Sequence, residues 1–125
     1  MTVLIDSWTW IEYWKGGKYS ENAARHIEGR EQAIVSAINL AEVHNWILRF
    51  YDQRTADQKI EPMEKRCFVV PVDRAVALEA SRIKKDQGLA LADSLILATA
   101  RLSGAKDATG DGDFRTIAEA IIIAT

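Results

Sequence analysis

Val3-Leu4-Ile5-Asp6-Ser7 begins with three branched apolar residues and ends with a pair that stops a strand and starts a helix. A short run that is apolar throughout, rather than alternating, reads as a strand covered on both faces. Ser7, or the segment after it, suits the cap of a first helix. The same punctuation recurs along the chain. Ala33-Ile34-Val35 is followed by Ser36, an N-cap for a helix to about Tyr51. Phe68-Val69-Val70 is stopped by Pro71, and Asp73 then caps a helix running towards Lys85. Between these units, Ser20 to Gly29 predicts a helix capped by Ser20, and Thr55 to Arg66 one that is irregular or kinked at Pro62. Leu89 to Ser103 predicts a central, buried helix ended by Gly104. Ala105 to Thr109 is a weaker strand candidate, Phe114 to Ala120 a short helix, and Ile121-Ile122-Ile123 a last strand. Short apolar strands separated by helices predict the α/β class, a parallel sheet with helices on both faces.

Composition narrows the class further. The chain has 125 residues, 48% of them hydrophobic, which suits one domain over residues 1–125. Sixteen Lys and Arg against 18 Asp and Glu give a net charge of −2, which excludes attachment to nucleic acid by bulk charge alone. It leaves room for a nuclease whose carboxylates surround a metal. The single cysteine, Cys67, lies in an apolar run and predicts an inert buried thiol. With no apolar run near the roughly 20 residues of a membrane span and no leader pattern, the expectation is a soluble, unprocessed, cytoplasmic protein with no membrane partner.

In open α/β sheets, ligands bind beyond the carboxyl ends of the strands. The polar residues that follow strands here are acidic: Asp6, Asp111 and Asp113, with Glu42 two turns into the helix after the second strand and Asp93 early in the apolar helix. Taken one at a time, each has a plain structural reading. Asp6 suits a helix cap, and Asp93 suits the positive end of its helix dipole. Glu42 lies opposite the Leu40, Val43, Ile47 and Tyr51 stripe, as a solvated residue would. Thr109-Gly110-Asp111-Gly112-Asp113 suits a turn with a cap. Taken together, carboxylates gathered in one cleft repel one another, and hard divalent cations with oxygen ligands are the usual remedy. A Mg²⁺ or Mn²⁺ site is the chemistry implied. Only two histidines, His26 and His44, are present, and His44 reads as a hydrogen-bonded packing residue, so a zinc site has no support. No P-loop and no Gly-x-Ser-x-Gly elbow occurs.

In order, Val3-Leu4-Ile5-Asp6-Ser7, Ser36-Ala37-Ile38-Asn39-Leu40-Ala41-Glu42-Val43, Leu91-Ala92-Asp93-Ser94-Leu95-Ile96-Leu97-Ala98 and Thr109-Gly110-Asp111-Gly112-Asp113-Phe114 closely resemble the PIN-domain ribonucleases. Among these, the short chain looks like a VapC-type toxin of a prokaryotic toxin–antitoxin pair. The resemblance implies a sheet of about five parallel strands. It implies a catalytic site of Asp6, Glu42, Asp93 and Asp111 holding Mg²⁺ or Mn²⁺, with Asp113 as an outer or second-metal ligand and hydroxyls from Ser7 and Thr109. It also implies an RNA substrate, a homodimer, and an antitoxin that places a basic side chain in the acidic site. Two residues depart from the family pattern. Trp8 stands where a small polar residue often follows Asp-Ser, and would narrow the cleft. Asp107 interrupts a normally apolar strand and unsettles its boundaries.

The chemistry expected is metal-dependent hydrolysis of RNA phosphodiester bonds. The alternatives are a PIN nuclease in RNA processing or decay, and a catalytically silent module using the acidic cleft to engage a basic peptide. A dehalogenase-like phosphatase needs an acid where Trp8 stands, and a receiver domain does not account for the Asp93 helix. Trp10, Trp14 and Trp46 suit base stacking, but core or dimer surface is the simpler reading.

Overall fold

A computed structural model describes residues 1–124. Its sheet has five parallel strands in the order β3-β2-β1-β4-β5: β1 (Thr2–Ile5), β2 (Gln32–Ser36), β3 (Phe68–Val70), β4 (Ala105–Thr109) and β5 (Ala120–Ile122). β1 is central because it can lose water on both faces, and Val3, Leu4 and Ile5 are fully buried. Alternate residues divide between two cores. Val3, Ile5, Ala33, Val35 and Ala108 pack under α1 (Ser7–Lys15), α2 (Ser20–Ile27), α3 (Ala37–Phe50) and α4 (Gln53–Arg66). Leu4, Ile34 and Ala105 face Ile96 and Ala100 of α6 (Leu91–Leu102) on the opposite side. There α5 (Arg74–Gln87) joins α6 through Val76, Ala80, Ile83 and Leu97. The fold is the expected α/β arrangement with helices on both faces. Cutting Leu4 back to alanine would cost about 2–5 kcal/mol, the range for a buried leucine with no room to relax.

The strand order reverses at β1. The chain first builds outward to β2 and β3, then crosses through α5 and α6 to β4 on the other side of β1. Connections leaving β1 and β4 therefore diverge, opening a crevice beyond their carboxyl ends.

Several elements differ from the sequence reading. α2 has no side-chain cap, with Ser20 its first helical residue rather than its cap. α4 starts earlier, capped by the Asp52 side chain at Thr55 N, and runs through Pro62 without a break. Its packing around Ala56 and Met63 outweighs the one hydrogen bond that proline removes. Phe114 to Ala120 is not a helix. A single 3-10 turn, Gly112–Phe114, seats Phe114 and Ile117 in the core, and Ala120 already belongs to β5. Tyr51 is exposed and leaves the buried stripe, because α3 ends at Phe50 and the Tyr51 backbone is no longer helical. Asp107 does not disturb β4, which spans the predicted residues. Gly104 takes φ of 63°, the left-handed turn that directs the end of α6 back into β4. Cys67 is buried and unbonded, and burial pushes its thiol up to about 11. Among the described residues, no helix is long and apolar enough to cross a membrane.

Candidate acidic site

At the end of β1, Asp6 turns the chain into α1, and its Oδ1 accepts the Ser7 N–H at 2.7 Å. The capping reading of Asp6 is thus correct as far as it goes. The same oxygen also accepts from Asn39 Nδ2 at 3.2 Å, and that amide donates to Ser7 Oγ at 2.8 Å. Ser7 in turn donates to Glu42 Oε1 at 2.7 Å. Sequence reasoning did not single out Asn39. It is fully buried and completes a capping box with Ser36, whose N–H donates to Asn39 Oδ1 at 2.8 Å. The Ser36-x-x-Asn39 spacing was the available signal. Periodicity placed Glu42 in solvent, yet it is half-buried and faces α1.

Across the crevice, Thr109 ends β4 and its hydroxyl accepts the Asp111 N–H at 3.1 Å. Asp111 Oδ1 then accepts from Asp113 N at 2.9 Å. This turn directs both carboxylates towards Asp93 in the first turn of α6, and oxygens of Asp93, Asp111 and Asp113 lie within 4.8 Å of one another. Asp6, Glu42, Asp93 and Asp111 line one cleft of about 310 Å³ with Trp8, Trp46 and Arg49. Trp8 is one of its walls. Its ring lies against Gly110, where an added Cβ would sit 2.3 Å from the indole.

The electrostatics follow from burial and crowding. Burial is the largest cause raising Asp93 to about 6, with Asp111, Glu42 and Asp113 adding repulsion. Asp6 is also held well above the ordinary carboxylate range, first by burial, although the Ser7 N–H and Asp107 oppose the shift. Asp107 is fully buried on β4. Burial first, and then Asp6 beside it, also holds Asp107 well above the ordinary carboxylate range, and both of its buried oxygens lack a hydrogen-bond partner. The strand register explains their meeting: Leu4 pairs with Asp107, so Asp6 and Asp107 project from the same face of neighbouring strands.

The donor set suits a hard divalent cation. The acids that converge here offer carboxylate oxygens, and Asp6 Oδ2 is buried with no hydrogen-bond partner. The oxygens of Asp93, Asp111 and Asp113 come together at one side of the cleft, where Asp113 is the exposed member of the group. Without a cation, such a group repels a phosphate; with one, it can bind and polarise it.

Residues 3–120 match the PIN domain family. No curated protein is significantly similar to the chain. Solved structures resemble it closely in fold at low identity. A toxin–antitoxin complex from Klebsiella pneumoniae is 20% identical, with 95% of each chain covered and a TM-score of 0.78. VapC20 of Mycobacterium tuberculosis, described as a sarcin-ricin loop cleaving toxin, is 18% identical over 98% of each chain, with a TM-score of 0.75. VapBC2 of Rickettsia felis, bound to a promoter DNA fragment, is 16% identical, covers 98% of this chain and 97% of that one, and has a TM-score of 0.74.

Proposed function

Because the chain belongs to the PIN domain family, we propose that it is a ribonuclease, the toxin of a toxin–antitoxin pair, whose acidic cleft hydrolyses RNA phosphodiester bonds with Mg²⁺ or Mn²⁺. The observation that carries this reading is the convergence of Asp6, Glu42, Asp93 and Asp111 on one cleft at the point where the strand order reverses. Asp6, Asp93 and Asp111 would hold the cation, with Asp113 as a further ligand and Glu42 on the opposite wall. When bound, the cation supplies positive charge to the phosphate and lowers the pKa of a water. The protein's own groups do the remainder. Ser7 holds Glu42 in position, Asn39 fixes Asp6 and Ser7 together, and Thr109 sets the turn that presents Asp111. Arg49 supplies a cation on the cleft wall for a neighbouring phosphate, and Trp8 limits the entry of water.

The antitoxin partner follows from the kind of complexes its structural relatives form. A basic side chain entering the cleft would neutralise the same carboxylates. A homodimer and a cytoplasmic setting belong to the same reading.

The test is RNA cleavage by the purified chain in Mn²⁺, Mg²⁺ or EDTA, beside Asp93→Asn. Metal-dependent cleavage that falls at least about 100-fold in the variant is expected. Intact RNA in every condition, with no thermal shift on adding metal, would favour the silent binding module instead.

A further inference from the structure

Beyond the acidic cleft, α1, α3 and α4 enclose a hollow of about 210 Å³, lined by Trp14 and Lys15 from α1, Trp46 and Tyr51 around the end of α3, and Lys59 from α4. Of the tryptophans weighed in the sequence, Trp10 is buried in the core, whereas Trp14 and Trp46 remain half-buried at this hollow. Trp46 also lines the acidic cleft, so its ring is the wall shared by the two. Trp46 and Tyr51 are tilted by 54° with centroids 6.4 Å apart, so neither ring covers the other's face. No carboxylate is among the lining residues. Lys59 and Arg49 make no ion pair among the described residues, and Lys15 meets Glu12 only at 3.8 Å.

Aromatic faces interleaved with cations are what single-stranded nucleic acid requires: a surface for a base and charges for the flanking phosphates. A purely structural aromatic cluster has no need of the lysines. Building on the ribonuclease reading, we infer that the RNA strand leaving the carboxylates passes over Trp46 and places an unpaired base in the hollow, with Lys15 and Lys59 at its phosphates. The occupant is RNA rather than an apolar peptide because the hollow shares a wall with the cleft that would hold the scissile phosphate and carries two lysines, of which Lys59 has no ion pair among the described residues. Only an unpaired stretch can use the hollow, because in a duplex the bases are already stacked and cannot enter it.

The test uses a fluorescein-labelled single-stranded RNA of about 12 nucleotides, long enough to span cleft and hollow, and a matching duplex. Binding is followed by anisotropy in Ca²⁺ from roughly 50 to 200 mM salt, and KM and kcat in Mn²⁺. Trp46→Leu and Tyr51→Ala should each weaken single-strand binding about 10-fold, and Tyr51→Ala, which lies outside the acidic cleft, should raise KM with kcat held. Tyr51 is 65% exposed, so its variant does not depend on Trp46→Leu folding well. Replacing Lys15 and Lys59 together by Gln should reduce the salt slope by about 1.4. An abasic RNA lacking the base that enters the hollow should lose the same affinity as Trp46→Leu, and should lose no more when combined with it. Cleavage by the parent chain with all variants unchanged would overturn the hollow alone. Variants that bind RNA normally but no longer bind an antitoxin would overturn it too, assigning the hollow to a protein partner. A parent chain that neither binds nor cleaves RNA would overturn the underlying function as well.

Discussion

The Ser7 hydroxyl donates to Glu42 Oε1 at 2.7 Å, joining the first residue of α1 to the second turn of α3 across the mouth of the cleft. Ser7 also accepts from Asn39, so its hydroxyl is the link between the Asp6 side of the site and Glu42. Ser7→Ala should leave Glu42 free to swing and lower kcat about 10-fold, since misplacing a group by about 1 Å can cost more than that. KM should stay nearly unchanged. Steady-state kinetics on a cleavable RNA decides this, and an unchanged kcat would show that Glu42 needs no such support.

Much of this was legible because strands of apolar residues are punctuated by capping residues. Ala33-Ile34-Val35 with Ser36 placed a strand end and a helix start correctly, whereas after Val3-Leu4-Ile5 the cap is Asp6 and Ser7, expected as the cap, is already the first residue of α1. Local signals failed where tertiary contacts override them. Pro62 sits in a continuous helix because α4 packs through Met63, and Glu42 lies at the cleft because Ser7, 35 residues away, faces it. Periodicity reads one helix at a time and has no access to such a partner. Asp107 was visible only as an anomaly in a strand. Its meaning needed the register that places it beside Asp6.

Gly110 has no room for a side chain, since a Cβ would meet the Trp8 indole at 2.3 Å. Gly110→Ala should push the ring into the cleft, destabilise the fold by about 1–2 kcal/mol and slow cleavage. Trp8→Leu combined with it should recover much of the lost stability, because the clash lies with the far edge of the ring. Melting curves of the two single variants and the double variant test the coupling. Simple additivity would mean that the strain lies elsewhere.

Burial first, and then Asp6 beside it, holds the Asp107 carboxyl well above the ordinary carboxylate range. Asp107→Asn keeps a hydrogen-bond donor and removes a titratable charge, so it should melt at or above the parent at pH 7.5 with cleavage within about 3-fold. Asp107→Leu fills the site but leaves Asp6 without that donor, at a cost of about 1–3 kcal/mol. Equal melting of the two variants would show that Asp6 does not rely on Asp107.

Crowded carboxylates should give the cation-free chain an inverted pH dependence. Asp93 is raised from 3.8 to about 6, so between those values the folded chain binds more protons than the unfolded one. The stability this represents is present below pH 4 and is lost as pH rises through about 6. Asp6 and Asp107 are shifted in the same direction. Because Asp93 is only half-buried, solvent screening reduces its share to about 1 kcal/mol, or about 3 °C for a chain of this size. In EDTA the melting temperature should therefore fall from pH 5 to pH 7.5. Asp93→Asn should flatten that slope, and Mn²⁺ should restore stability at the higher pH by holding the carboxylates ionised. A melting temperature that rises over the same interval in EDTA would mean that the carboxylates are already neutralised by the protein, and that the cleft needs no cation.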